Sequence, residues 1–173
     1  MEIEHLQYPI GRFDKTRTYS DSDITYGISY LKDYPAILED TVKNLSDEAL
    51  AQIYRPGGWN IRQLVHHLAD SHSNMYIRIK CALTEDNPTI KGYNEGDWAE
   101  LPDSKLPIDP SLKMLSGIHQ RLAALLDNND DSLLEKSYFH AGYDFTYTLR
   151  TVIPLYQWHS EHHLEHIKLA LNY

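Results

Sequence analysis

The sequence predicts an all-α protein, a four-helix bundle with a long crossover loop and a small β-hairpin before the last helix. Three observations lead there. Apolar residues recur at spacings of three and four along four long stretches, as the buried stripe of a bundle helix requires. Capping or helix-breaking residues bound the stretches. Four of the ten histidines fall within Trp158–His166, and flanking Ile153, Leu155, Ile167 and Leu169 place them on a helix rather than a tail.

Residues 1–19 show no helical period, and Tyr8-Pro9-Ile10-Gly11 reads as an extended arm that packs on the body or reaches a neighbouring subunit. From Ser20 or Asp21 as N-cap, Ile24, Ile28, Leu31, Pro35, Leu38, Val42 and Leu45 mark a helix of about 24 residues. An interior proline loses one backbone hydrogen bond and costs about 3 kcal/mol, which predicts a kink at Pro35 or two shorter helices. Ser46-Asp47-Glu48 starts a helical turn that ends before Arg55-Pro56-Gly57-Gly58. Asn60 caps a second long helix over 61–84, with Ile61, Leu64, Val65, Leu68, Met75, Ile79 and Ala82 on its apolar face.

Pro88, Pro102 and Pro107, with Pro110 just beyond, make 86–109 a long connection holding a short helix around Trp98. Asp109 and Pro110 open the third helix, whose buried side carries Leu112, Leu115, His119, Leu122 and Leu126. His119 stands alone there, which assigns it to hydrogen bonding or outer support of a site rather than ligation. Residues 130–147 give a helical turn and two extended pieces, Tyr138–His140 and Tyr143–Tyr147, joined around Ala141-Gly142. Thr148 caps the last helix, and Pro154 kinks it or delays its regular start.

The histidines of the last helix separate by face. At about 100° per residue, Val152, Leu155, Tyr156, His159, His163, Ile167 and Ala170 share one stripe, with Arg150, Gln157, Glu161, Glu165, Lys168 and Asn172 opposite. His159 and His163 occupy the centre of the apolar stripe, His166 its edge, and His162 points away, towards solvent. Imidazoles four residues apart can share one metal ion, and buried ring nitrogens need partners, so His159 and His163 are the candidate ligand pair. For a third ligand, periodicity nominates His72, on the apolar face of the second helix. His67 is the alternative: it heads a polar stripe with Asn60, Ser71, Asn74 and Arg78 that would form a pocket wall beside the metal.

Composition narrows the partners. A formal charge of -9 and a pI near 5.5 disfavour nucleic acid and anionic membrane and favour a small ligand. No stretch approaches the roughly 18 apolar residues of a membrane span, and Met1-Glu2-Ile3-Glu4-His5 lacks a signal peptide's basic-then-apolar order, so a cytoplasmic location is expected. A single cysteine, Cys81, excludes an internal disulfide and any multi-thiolate zinc site, and is assigned to packing. At 173 residues, one domain spanning 1–173 is expected.

Several segments match a known pattern in order and spacing: Tyr8-Pro9-Ile10-Gly11; Gly57-Gly58-Trp59-Asn60 through His66-His67-Leu68-Ala69-Asp70-Ser71-His72; Tyr76-Ile77-Arg78; Leu83-Thr84-Glu85; and Trp158-His159-Ser160-Glu161-His162-His163-Leu164-Glu165-His166-Ile167. From about residue 8 to 169 the chain resembles the YfiT branch of the DinB/YfiT metalloenzyme superfamily. The resemblance implies a DinB-type four-helix bundle, commonly a homodimer, and one divalent metal ion, zinc or alternatively nickel, with water in its open positions. It implies His67, His159 and His163 as ligands, which replaces His72 by His67. Glu161 stands where a relative can carry another histidine, on the solvent side.

Members of the branch are described as metal-dependent hydrolases and as bacillithiol S-transferases. Three neutral imidazoles leave a positive ion with exchangeable positions, the arrangement of a catalytic zinc site. A low-molecular-weight thiol could bind there as a metal-bound thiolate and attack an electrophilic substrate. The alternative is hydrolysis by bound water, and a further alternative is a non-enzymatic metal-dependent binding protein. Asn74 and Arg78, two to three turns beyond His67, are the candidate substrate-binding residues. No catalytic base is singled out.

Overall fold

The computed structural model describes residues 4–127 and 130–172. Its helices are α1 (Glu4–Gln7), α2 (Asp21–Val42), α3 (Asp47–Leu50), α4 (Ile61–Thr84), α5 (Glu95–Ala99), α6 (Asp109–Leu126), α7 (Asp131–Leu134) and α8 (Leu149–Leu171). Two of the long ones begin in reciprocal caps. Ser20 Oγ accepts from Asp23 N while the Asp23 carboxylate accepts from Ser20 N, and Asn60 with Gln63 repeats the arrangement at α4. Thr148 holds the N-cap position of α8, but its hydroxyl faces the Thr151 hydroxyl and caps no backbone N–H.

Both interior prolines are carried within continuous helices, Pro35 in α2 and Pro154 in α8. α2 therefore neither splits nor extends to Leu45. The penalty of one lost hydrogen bond is offset where a long helix packs along its length. α2 approaches α8 closely at this level: a Cβ on Gly27 would lie 2.9 Å from Ile153 Cγ2.

The four long helices pack in the cyclic order α2, α6, α4, α8, so α2 and α4 stand diagonally opposite, as do α6 and α8. The crossover between α4 and α6 carries α5 and strand β1 (Thr89–Ile90). β1 pairs in parallel with β2 (Ser137–His140), which pairs antiparallel with β3 (Phe145–Thr148) in the register Tyr138 with Tyr147. The hairpin is thus present with its turn at 141–144, and β1 adds a strand that two residues of sequence could not signal. Along β2, Tyr138 and His140 both face inward.

Apolar packing divides into two clusters. One holds Leu31, Met75, Ile79, Leu122, Val152 and Tyr156; the other holds Tyr34, Leu64, Leu68, Leu115, Ile167 and Ala170. Between them, along three of the four helices, lies a polar level: His72 on α4, His119 on α6, and His159 and His163 on α8. The N-terminal segment closes one side of this level rather than reaching outward. α1 is helical where an extended arm is expected, and the chain beyond it returns to α8, with Trp158 Nε1 donating to Gly11 O at 3.2 Å and Phe13 against Trp158. No helix among the described residues is long and apolar enough to cross a membrane.

Candidate metal centre

α4 and α8 bring His67, His159 and His163 together, with one ring nitrogen from each lying within 4.8 Å of the others. His67 Nε2 and His159 Nε2 are 3.2 Å apart. Two nitrogens on a tetrahedral ion at 2.0–2.1 Å lie about 3.3 Å apart, so this edge already has the length that zinc requires. The donors are three neutral nitrogens suited to zinc or nickel. Burial denies an imidazolium its hydration: it pushes His67 down to about 4, and His159 and His163 well below the ordinary histidine value, with the neighbouring imidazoles adding to the effect. All three therefore offer lone pairs at neutral pH. Trp59 packs on the rings of His67 and His163, at 4.7 and 6.4 Å between centroids, and shields that side.

The ligand set implied by resemblance is thus assembled, and the periodicity nomination of His72 is not. His72 is fully buried one turn beyond His67, and its Nδ1 bonds His119 Nε2 at 2.7 Å. His162 also departs from expectation. It is buried, stacked at 4.6 Å on Trp158 and packed 5.8 Å from Tyr8, because the N-terminal segment covers a face that a helical wheel leaves open. His166 does stand at the edge of the site, with Nδ1 3.3 Å from His163 Nδ1 and Nε2 3.2 Å from Gln7 O. Glu161 lies outside the centre and accepts from Tyr26 Oη at 3.0 Å. A second histidine trio, His162, His163 and His166, also has nitrogens within 4.8 Å and shares His163 with the first.

The first trio meets a cavity. His67 and His159 line a space of about 490 Å³, walled by Ser71, Arg78, Tyr156 and Trp158 from the helices, by Tyr138, His140, Tyr143 and Tyr147 from the hairpin, and by Tyr93, Asn94 and Glu95 from the crossover. Arg78 is buried in this wall. Its Nη1 reaches Tyr156 Oη at 3.5 Å, its Nε has no partner, and it forms no ion pair among the described residues. Asn74 does not line the cavity; its amide donates to Asp70 O at 2.9 Å on its own helix.

His140 is the cavity residue that sequence reasoning overlooks. Its Nδ1 is buried without a partner, and burial together with the Arg78 charge lowers its pKa and favours the neutral ring. Gly92 makes room for it, since a Cβ there would sit 3.1 Å from His140 Cε1. The period-two alternation of Tyr138 and His140 is the signal that could have found it. Tyr93 and Glu95, on the crossover, leave no such signal.

Residues 30–167 match the DinB superfamily. Over 165 residues, 95% of each chain, the sequence is 47% identical to a protein of Bacillus mycoides (strain KBAB4) and 48% identical to one of Bacillus cereus (strain B4264), both named "Putative metal-dependent hydrolase". A solved structure, YfiT from Bacillus subtilis, superposes with a TM-score of 0.90 at 41% identity, covering 95% of this chain and 94% of that one. It is described as a probable metal-dependent hydrolase with an unusual four-helix bundle topology.

Proposed function

Because the chain belongs to the DinB superfamily, and its three ligand histidines converge beside a cavity, we propose that it is a metal-dependent enzyme joining a small-molecule thiol to an electrophile. The observation that carries this is the makeup of the trio: three neutral imidazoles with no carboxylate among them. His67, His159 and His163 would hold zinc, or alternatively nickel. A divalent cation there keeps its full positive charge and supplies the Lewis acidity that favours a thiolate, or a hydroxide, beside it.

The surrounding residues do the rest of the work. Arg78, buried without an anionic partner, is costly in that state and is relieved by an anionic group of the substrate, most directly a carboxylate gripped in bidentate fashion. The tyrosines of the hairpin and crossover stack on the substrate and exclude water. His140, neutral and with Nδ1 free, can accept a proton from a nucleophile entering the cavity.

Thiol transfer is favoured over hydrolysis by the acid inventory. Among the described residues, the single carboxylate lining the cavity is that of half-buried Glu95. A thiol, with an ordinary pKa of about 8.5, would be deprotonated outright beside such a cation, whereas water there would be brought only to a pKa of about 7 and gains more from a carboxylate base. Hydrolysis is the second reading; His140 as proton acceptor and the names of the relatives favour it.

The test is to incubate zinc- or nickel-loaded protein with a thiol and monochlorobimane, and in parallel with ester and amide substrates. Bacillithiol is the thiol the resemblance implies, with cysteine and glutathione as comparisons. Conjugation that needs both the metal and one particular thiol is expected. Metal-dependent ester or amide cleavage without thiol would transfer the assignment to hydrolysis, and inactivity in both assays would contradict an enzymatic role.

A further inference from the structure

Behind the ligand trio stand three buried imidazoles with no role in the scheme above, His72, His119 and His166. Their hydrogen bonds have only one consistent direction. A main-chain carbonyl accepts and never donates, so a ring nitrogen bonded to it must carry the proton. His166 Nε2 lies 3.2 Å from Gln7 O, which puts the proton of that neutral ring on Nε2 and leaves Nδ1 as an acceptor. His163 Nδ1, 3.3 Å away, is then the donor, and the lone pair of His163 is confined to Nε2.

The same logic starts from the opposite side of the bundle. Leu31 O accepts from His119 Nδ1, and His119 Nε2 therefore accepts from His72 Nδ1 at 2.7 Å. That leaves His72 Nε2 as a bare acceptor, and it is buried with no partner. In the adjacent ring, 5.6 Å away between centroids, His159 Nδ1 is also buried with no partner. His159 Nε2 faces His67 Nε2, so when Nε2 offers its lone pair, Nδ1 carries the proton. An unpaired acceptor and an unpaired donor thus sit in neighbouring rings.

We propose that His72 with His119 positions His159, and that His166 positions His163, through two proton-ordered relays anchored on the Leu31 and Gln7 carbonyls that present each ligand with its Nε2 lone pair free. These are positioning residues that reach the metal only through its ligands. The inference rests on the trio holding a divalent ion, and it follows the general rule that a ligating histidine donates its other N–H to an outer acceptor. It also explains why the second trio, His162, His163 and His166, is not a second metal site. Occupancy there as well would require His163 to bind through both nitrogens as an anion, and would bury a second dication among neutral rings.

His72→Phe and His166→Phe keep a ring but remove the accepting nitrogen, whereas His72→Gln and His166→Asn return an acceptor near the Nε2 and Nδ1 positions respectively. Competition against a chromophoric chelator should show each Phe variant binding zinc about 10- to 100-fold more weakly, with most of the loss recovered in the Gln and Asn variants. Helix content measured by circular dichroism identifies any variant that has not folded. Long-range hydrogen–nitrogen NMR of the metal-free wild type reads the relays without mutation: His166 should be protonated at Nε2, and His72, His119 and His163 at Nδ1. Reversed tautomers, full zinc affinity in folded Phe variants, equal losses in the Phe and the Gln or Asn variants, or two zinc ions per chain would each overturn the proposal. If the wild type took up neither zinc nor nickel, the metal reading would fail, and the tautomers would still decide the relays.

Discussion

His163 belongs to two histidine trios, and the difference between them lies in their surroundings rather than in their residues. With His67 and His159 it draws on two helices, and that group opens onto the cavity. With His162 and His166 it draws on α8 alone, and that group is roofed by Tyr8, Trp158 and the Gln7 carbonyl. The ring nitrogens lie within 4.8 Å of one another in both. One group has room for exchangeable ligands and substrate, whereas in the other a ring nitrogen is already committed to a carbonyl. Imidazole density alone therefore does not define a metal centre; access and the direction of the outer hydrogen bonds do.

The strongest way to break this contrast is to remove ligands from the open trio. A four-coordinate zinc site worth about 12 kcal/mol distributes about 3 kcal/mol to each bond, so His67→Ala, His159→Ala and His163→Ala should each weaken zinc binding by at least about a hundredfold while the bundle stays helical. Elemental analysis after gel filtration measures this, and stoichiometric zinc in all three variants would refute the assignment. Next in size is Arg78→Leu. A charged hydrogen bond contributes about 1.5–3 kcal/mol, so kcat/KM for an anionic thiol should fall about 10- to 100-fold with metal content unchanged. A neutral thiol should react equally well with both proteins, and an equal loss for the two thiols would remove the anion-binding role.

Acid should act on both trios of the metal-free protein. Burial holds His67, His119 and His166 down at about 4 and His162 at about 3 when folded, while the same groups titrate near 6.5 in the unfolded chain. Between these values the unfolded chain binds more protons, so stability is full above pH 6.5 and falls as pH drops towards 4. Melting temperatures by circular dichroism should therefore be level from pH 7 to 8.5 and decline steadily from 6.5 to 4.5; a flat profile through that lower range would contradict neutral buried imidazoles. The smallest effect on metal is expected from His162→Ala. It should lower the melting temperature by losing its stack on Trp158 and leave zinc affinity unchanged, and a loss of affinity would move the site to the roofed trio.

Much of this was legible in the chain because it is periodic. The boundaries of α4, the capping residues Ser20 and Asn60, and the inward pair His159 and His163 all follow from spacing within one helix. What spacing cannot give is the neighbour across a gap. His72 has the better apolar phase, yet His67 faces α8, because the cyclic packing of the helices decides which side of α4 meets the centre, and only the resemblance identified it. His162 looks exposed on a wheel and is buried by residues some 150 positions earlier in the chain. β1 is too short for a pattern, and His140 enters the cavity from the strand that pairs with both β1 and β3. Pro35 and Pro154 interrupt neither helix, since a local penalty yields to packing along the helix.

The central claim is that the metal sits in the open trio, at the cavity. Anomalous diffraction at the zinc edge from a crystal of zinc-loaded protein tests it most directly. The account predicts one peak per chain, bonded to His67, His159 and His163, with the nearest cavity atoms beyond its open side. A peak among His162, His163 and His166, or one at each trio, would contradict it.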